Sequence, residues 1–240
     1  MDVYWLEQIE VDVPAENDWL SATEIACLNG LRVAKRRADW RLGRWTAKRA
    51  LASYLTLPPY PHVLAKIEIR PSPSGAPVGF FSHEPATASI SISHRANRAV
   101  CALAPSGVDL GCDLELIEPR SAAFIADYFT PEEQTLVSRA SPAERFRLAA
   151  LLWSGKESAL KALQTGLRLD TLCVIVSLHN GSPDLKGWSP LQVRFHGRTF
   201  DGWWQQADGI VRTLVGAPPP NPPVRLRIPA YFHDTTSKCA

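Results

Sequence analysis

The sequence predicts an α+β fold in which a helix followed by antiparallel strands occurs once in each half of the 240-residue chain. Three observations carry this. Over residues 33–55 the basic residues Arg37, Arg41, Arg44 and Lys48 recur at helical offsets, while Trp40, Ala47 and Leu51 fall on another face. Over residues 108–116 polar and apolar residues alternate strictly, as in a strand. Over residues 143–163 a second helix follows, and strand-like runs come after it.

In chain order, the first 30 residues mix short apolar pieces with acids, and residues 23–28 open a short helix. The basic helix stops at Pro58, Pro59 and Pro61. Residues 65–70 form a short strand, and residues 71–77 (PSPSGAP) a turn. A meander of three strands follows, over residues 89–93, 99–104 and 108–116, with turns at 95–98 and at Pro105-Ser106-Gly107. In the third strand Val108, Leu110, Cys112 and Leu114 face one way, and Asp109, Gly111, Asp113 and Glu115 the other. Residues 121–165 return to helix. Thr130 caps a first piece ahead of Pro131, Glu132 and Glu133, and the helix over 143–163 ends near Gly166. Residues 172–178, 191–195 and 210–215 read as strands, residues 217–223 (APPPNPP) as a stiff segment, and the last fifteen or so as a loosely docked tail.

Composition narrows the function classes. Hydrophobic residues are 45% and charged residues 21%, as in ordinary globular chains. A net charge of +2 disfavours binding nucleic acid by bulk charge and leaves room for a local basic patch. The five cysteines are odd in number and none is at CxxC spacing, which argues against a zinc ribbon or a disulfide framework. Asp2, Glu7, Glu10 and Asp12 are unlike a signal peptide, and no run approaches the roughly 20 apolar residues of a membrane span. A cytoplasmic protein with reduced thiols is expected.

Four constellations could carry chemistry. Asp113 and Glu115 share a strand face, so two acids project together. They are either a solvated face or oxygen ligands for a hard ion such as Mg²⁺. Trp153, Glu157 and Lys161 lie one helical turn apart, as an ordinary surface ion pair or as part of a site. Ser93-His94 ends the Ser/Ile strand, where His94 is structural, a phosphate ligand or a proton carrier. Between Lys35 and Arg49 stand seven basic residues and one acid, Asp39. That face suits solvent, a small polyphosphate or a nucleic acid, and the near-neutral chain favours the polyphosphate over the nucleic acid. There is no P-loop, no GxGxxG after a strand, no HExxH and no GxSxG elbow.

In order and spacing, Gly75-Ala76-Pro77, Ile90-Ser91-Ile92-Ser93-His94, Leu110-Gly111-Cys112-Asp113-Leu114-Glu115 and the Trp153-Ser154-Gly155-Lys156-Glu157 helix ending at Lys161 resemble the 4′-phosphopantetheinyl transferase superfamily. The basic segment from Arg36 to Arg44 and Gly166-Leu167-Arg168-Leu169 fit as well, so the resemblance runs from about residue 33 to 175. The length is similar to that of the larger, monomeric members that prime peptide and polyketide synthases. The resemblance implies a pseudo-two-fold duplication of two similar α/β halves, here 1–105 and 106–240, with the active site and coenzyme A between them.

It also implies the reaction, transfer of 4′-phosphopantetheine from coenzyme A to a serine of an acyl or peptidyl carrier protein, releasing 3′,5′-ADP. Asp113, Glu115 and Glu157 would hold Mg²⁺, with Mn²⁺ as the other candidate. Glu157, Lys161 and His94 would be catalytic. Arg36, Arg44, Arg70, Ser93, His94 and Lys161 would bind the coenzyme. The carrier would dock on an apolar and basic patch near residues 116–135, with no nucleic acid or membrane partner. Two positions depart from the family pattern. Ala76 stands where a lysine is usual, which leaves Arg70 or a neighbour to supply that contact, and Arg95 stands where a serine follows the histidine. Two rival readings remain: a binding protein that has lost transfer, and a nucleic-acid binder using the 35–49 helix.

Overall fold

A computed structural model describes residues 1–179, 184, 185 and 187–229. Much of the expected tail, residues 230–240, lies outside the described residues. The fold is mixed α+β. It divides into two compact units, Tyr4–Ser106 together with the segment from Val224, and Gly107–Pro223 together with Met1–Val3.

The first unit starts with strand β1 (Tyr4–Ile9), then helix α1 (Ala22–Gly30), the long helix α2 (Ala34–Tyr54) and a single turn, α3 (Pro61–Leu64). Strands β2 (Ile67–Pro71), β3 (Pro77–Phe81) and β4 (Glu84–Pro85) make a small sheet in that order. Hairpin β5 (Ala88–Arg95) and β6 (Arg98–Pro105) makes the larger sheet with β1. A two-residue strand, Val224–Arg225, adds to β1 in parallel. The core gathers Leu6, Trp19, Trp45, Leu51, Ile67, Ile69 and Leu103.

The second unit starts with β7 (Asp109–Leu116), followed by α4 (Ala122–Tyr128), α5 (Pro131–Arg139) and the long helix α6 (Pro142–Ala162). Strands β8 (Val174–Leu178), β9 (Ser189–Phe195), β10 (Arg198–Ala207) and β11 (Ile210–Ala217) complete an antiparallel sheet ordered β7-β11-β10-β9-β8. Strand β7 is therefore not the third strand of the expected meander. Strand β6 already has β1 on one edge and β5 on the other, so it offers no edge to a third partner. After Pro105 the chain turns through Gly107, at φ +85°, and β7 joins β11 instead. The strict alternation of β7 does not mean one wet face either. Gly111 and Asp113 are as buried as Leu110, Cys112 and Leu114, because α6 lies against that face. A Cβ on Gly111 would sit 1.8 Å from the Ser158 carbonyl oxygen, so only glycine allows this approach.

Each unit ties its long helix down in the same way. Ser21 caps α1 and Thr130 caps α5, each in a reciprocal box with the glutamate three residues on, Glu24 or Glu133. The far oxygen of that glutamate accepts from the backbone N–H of the strand beyond the long helix, Ile69 at 3.3 Å and Val176 at 3.1 Å. A fully buried lysine from the long helix then pairs with it. Lys48 of α2 bonds Glu24 and donates to the carbonyls of Trp19 and Leu64. Lys156 of α6 bonds Glu133 at 2.8 Å and donates to the carbonyls of Thr171 and Val174. All three ammonium protons are thereby used in each case. Burial lowers both lysine pKa values, and the facing glutamate pulls each back up.

Breaking such a pair from one side strands a buried charge. Glu133→Ala is expected to lose about 3–5 kcal/mol of unfolding free energy in urea titration. A loss no larger than that of an exposed Glu→Ala change would show that the pair does not anchor α6.

Candidate active site

The C-terminal unit brings four of the expected residues together. Asp113 and Glu115 project from β7 toward α6, and Glu157 and Lys161 project from α6. Lys161 Nζ donates to Asp113 Oδ1 at 2.7 Å and to the Cys112 carbonyl at 3.2 Å. It is therefore bound to the sheet, not set in an exposed i,i+4 pair with Glu157. Burial first, then the charges of Asp113 and Glu115, hold the Glu157 carboxyl above the usual range, with Lys161 opposing. Burial lowers the Lys161 pKa, but Asp113 and its neighbours outweigh it and the ammonium ends above its usual value. Trp153 is buried against Phe124 and Tyr128, with ring centroids 5.0 and 5.1 Å away, and serves the core.

Sequence reasoning missed Arg120. Its guanidinium donates to Glu115 Oε2 at 2.6 Å, lies 5.1 Å over the Phe124 ring, and is largely buried. No periodic signal marks it, because it stands in the loop after β7 and meets Glu115 only when that loop folds back. It also removes the basic part of the carrier surface expected near residues 116–135. That segment's single arginine is committed to Glu115, and Asp127 and Glu132 are its exposed charges.

Among the described residues, no three histidine, cysteine or acidic side chains are already drawn together as metal ligands. Asp113 is turned to Lys161 and Glu115 to Arg120. The donor set nonetheless fits a hard divalent cation. It is all carboxylate oxygen, and the charges of Asp113 and Glu115 raise the proton affinity of Glu157, a repulsion that a cation between them would relieve.

The N-terminal unit brings a second group together. A cleft of about 280 Å³ is lined by Arg44 and Trp40 of α2, Arg70 of β2, Gly75 of the next turn, Pro77 at the start of β3, and His94 of β5. The Arg44 guanidinium lies 4.9 Å over the Trp40 ring. Arg70 donates to Glu68 at 2.7 Å and lies 4.4 Å over Phe80, which holds its fork at the rim. Ala76 contributes no side-chain charge here, and Arg70 is the cation beside that turn. Two expected residues lie elsewhere. Ser93 is buried, on the face of β5 opposite Ile92 and His94. Arg36 is exposed, one turn along α2 from Trp40, and does not line the cleft.

The basic helix is less available than its sequence suggests. Arg37 donates to the carbonyls of Leu28 and Leu31, and Arg41 to those of Pro14, Ala15 and Glu16. Lys48 and Arg49 are buried. A continuous cationic face for nucleic acid is not present on α2, which leaves Arg44 in the cleft.

Comparison with known proteins agrees with the motifs. Residues 109–215, which hold the three acids and Lys161, match the family described as ACPS, the 4′-phosphopantetheinyl transferase superfamily. Among solved structures, the crystal structure of Thermotoga maritima holo-[acyl-carrier-protein] synthase (AcpS) is similar at 20% identity and a TM-score of 0.36. That match covers 45% of this chain and 61% of the other, less than two thirds of its length. No curated protein matches. Asp113, Glu115, Glu157 and Lys161 all lie inside that match, so it is the C-terminal unit, over residues 109–215, that is similar to the 4′-phosphopantetheinyl transferase superfamily.

Proposed function

We propose that this protein is an enzyme that transfers 4′-phosphopantetheine from coenzyme A to the serine hydroxyl of an acyl or peptidyl carrier protein, releasing 3′,5′-ADP. The observation that carries the reading is the acid cluster of β7 and α6, with Lys161 bonded into it. A protein that only binds coenzyme A has no need to gather three carboxylates from a strand and a facing helix. The lack of a continuous basic face on α2 speaks against the nucleic-acid reading.

In this reading the carrier serine oxygen attacks the phosphorus next to the pantetheine arm. A new O–P bond forms, the bond to the 3′,5′-ADP oxygen breaks, and the serine proton needs an acceptor. Asp113, Glu115 and Glu157 are the residues that would hold Mg²⁺, or Mn²⁺ in its place. When bound, such an ion neutralises the pyrophosphate and its leaving oxygen. Glu157, on α6 beside Asp113 and Glu115, would be the proton acceptor for the carrier serine. Lys161 supplies positive charge where oxygen charge develops. In the N-terminal unit Arg44, Arg70 and His94 offer the cleft's donors to the coenzyme's phosphates, and Trp40 offers a flat apolar wall.

The same lysine–glutamate tie in each unit supports descent of the two halves by duplication. We extend this to the larger monomeric type, which primes peptide or polyketide synthases, on the strength of the tie recurring in both units; Cys27, Cys101, Cys112 and Cys173 forming no disulfides accords with the cytoplasm. No described helix is long and apolar enough to cross a membrane.

Intact-mass measurement of an apo carrier domain after incubation with the protein, coenzyme A and Mg²⁺ tests the reaction. The carrier is expected to gain one phosphopantetheine, and Asp113→Ala to abolish the gain while remaining folded. A full gain with Asp113→Ala would remove the acid cluster from the chemistry. In steady-state assays, the double change Arg44→Ala and Arg70→Ala is expected to raise KM for coenzyme A about 10–100-fold, with kcat largely kept. A fall in kcat at unchanged KM would move these arginines from binding to catalysis.

A further inference from the structure

Helix α6 meets its sheet through three hydroxyls that the reaction does not use. Ser154, Ser158 and Thr213 are 0%, 0% and 2% exposed. Thr213 Oγ1 lies 2.8 Å from Ser154 Oγ, 2.6 Å from Ser158 Oγ and 2.9 Å from the Ser154 carbonyl oxygen. A threonine hydroxyl has one proton and two lone pairs. If Thr213 donates to the carbonyl and accepts from both serines, its capacity is filled. Ser158 Oγ is also 3.3 Å from the Thr213 carbonyl oxygen.

The position of this cluster is what makes it more than core filling. Ser158 immediately follows Glu157, and Ser154 lies one turn before it. Thr213 is the cross-strand partner of Asp113 in the β7–β11 ladder. The cluster therefore links the chain neighbours of two reacting carboxylates, one on the helix and one on the sheet. Apolar contact sets how far a helix stands from a sheet but resists sliding and rotation weakly. Hydrogen bonds are directional and resist both. Gly111, with no room for a Cβ against Ser158, removes the remaining slack.

We propose that Thr213, bonded to Ser154 and Ser158, is a positioning residue that fixes the register of α6 on the sheet and so sets Glu157 and Lys161 opposite Asp113. This rests on the transferase reading above. A displacement of about 1 Å in a reacting group can cost on the order of 100-fold in rate, so such a lock bears directly on catalysis.

The test compares the full-length native chain with Thr213→Val, Thr213→Ser and Ser158→Ala. Valine keeps the shape and removes every bond made by the hydroxyl; serine restores the hydroxyl. Two quantities are read: Mn²⁺ affinity by electron paramagnetic resonance, and kcat and KM for coenzyme A with an apo carrier domain. Thr213→Val is expected to lower Mn²⁺ affinity and kcat by about 10–100-fold, the range for groups that orient metal ligands, with KM near native. Thr213→Ser is expected to recover most of the loss, and Ser158→Ala to show a smaller loss of the same kind. Should Thr213→Val not fold, Ser158→Ala and Thr213→Ser carry the comparison. Native Mn²⁺ affinity and kcat in the hydroxyl-deleting variants would overturn the positioning role while leaving the transferase reading intact. So would equal losses in Thr213→Ser and Thr213→Val. A native protein that neither transfers nor binds Mn²⁺ would bring down both.

Discussion

The ammonium of Lys156 carries no solvent exposure, and its three protons go to Glu133 and to the carbonyls of Thr171 and Val174. Through it α6 is tied to the capped start of α5 and to the segment entering β8. Leaving that charge unpaired costs several kcal/mol, so the helix has one place to lie. Everything chemical in the C-terminal unit is placed from there. Glu157 is the next residue along, and Lys161 comes one turn later. The orientation that seats Lys156 on the α5 side presents those two to β7. The motif joining a lysine to a glutamate thus puts two things in adjacent residues: Lys156 holds the helix, and Glu157 is the acid proposed for the site.

The recurrence of the tie in the N-terminal unit, through Lys48 and Glu24, shows how one scaffold serves two ends. There α2 is held by the same kind of buried ion pair. It carries Arg44 and Trp40 into a cleft with Arg70 and His94, not acids against a strand. The scaffold is the same solution in both units, while the residues it presents differ. One set suits anionic groups and the other suits a cation and a proton.

Much of this was legible in the sequence, for a local reason. Both long helices and the β5–β6 hairpin come from periodicity within about twenty residues, and the caps at Thr130 and the turn at Gly107 are short-range chemistry. Asp113, Glu115, Glu157 and Lys161 stood out because strand and helix spacing put each pair on one face. What could not be read depends on contacts distant in the chain. Strand β7 leaves the meander because β1, about a hundred residues upstream, occupies the far edge of β6. Arg41 spends its charge on carbonyls some 25 residues back, which a count of basic residues cannot reveal. Lys161 on Asp113, Arg120 on Glu115 and Thr213 beside Asp113 all need the folded sheet to bring them together. Ser93 adjoins His94 in the motif, but strand parity puts it on the opposite face of β5, away from the cleft.

The most direct test is a crystal structure of the protein with coenzyme A and Mn²⁺, with the metal located by its anomalous scattering. The expected result is a manganese peak bound by Asp113, Glu115 and Glu157, with the pyrophosphate beside it and Lys161 turned toward the phosphate oxygens. A transfer-competent crystal with manganese bound by other residues, or with the pyrophosphate away from these carboxylates, would contradict the assignment of the chemistry to β7 and α6.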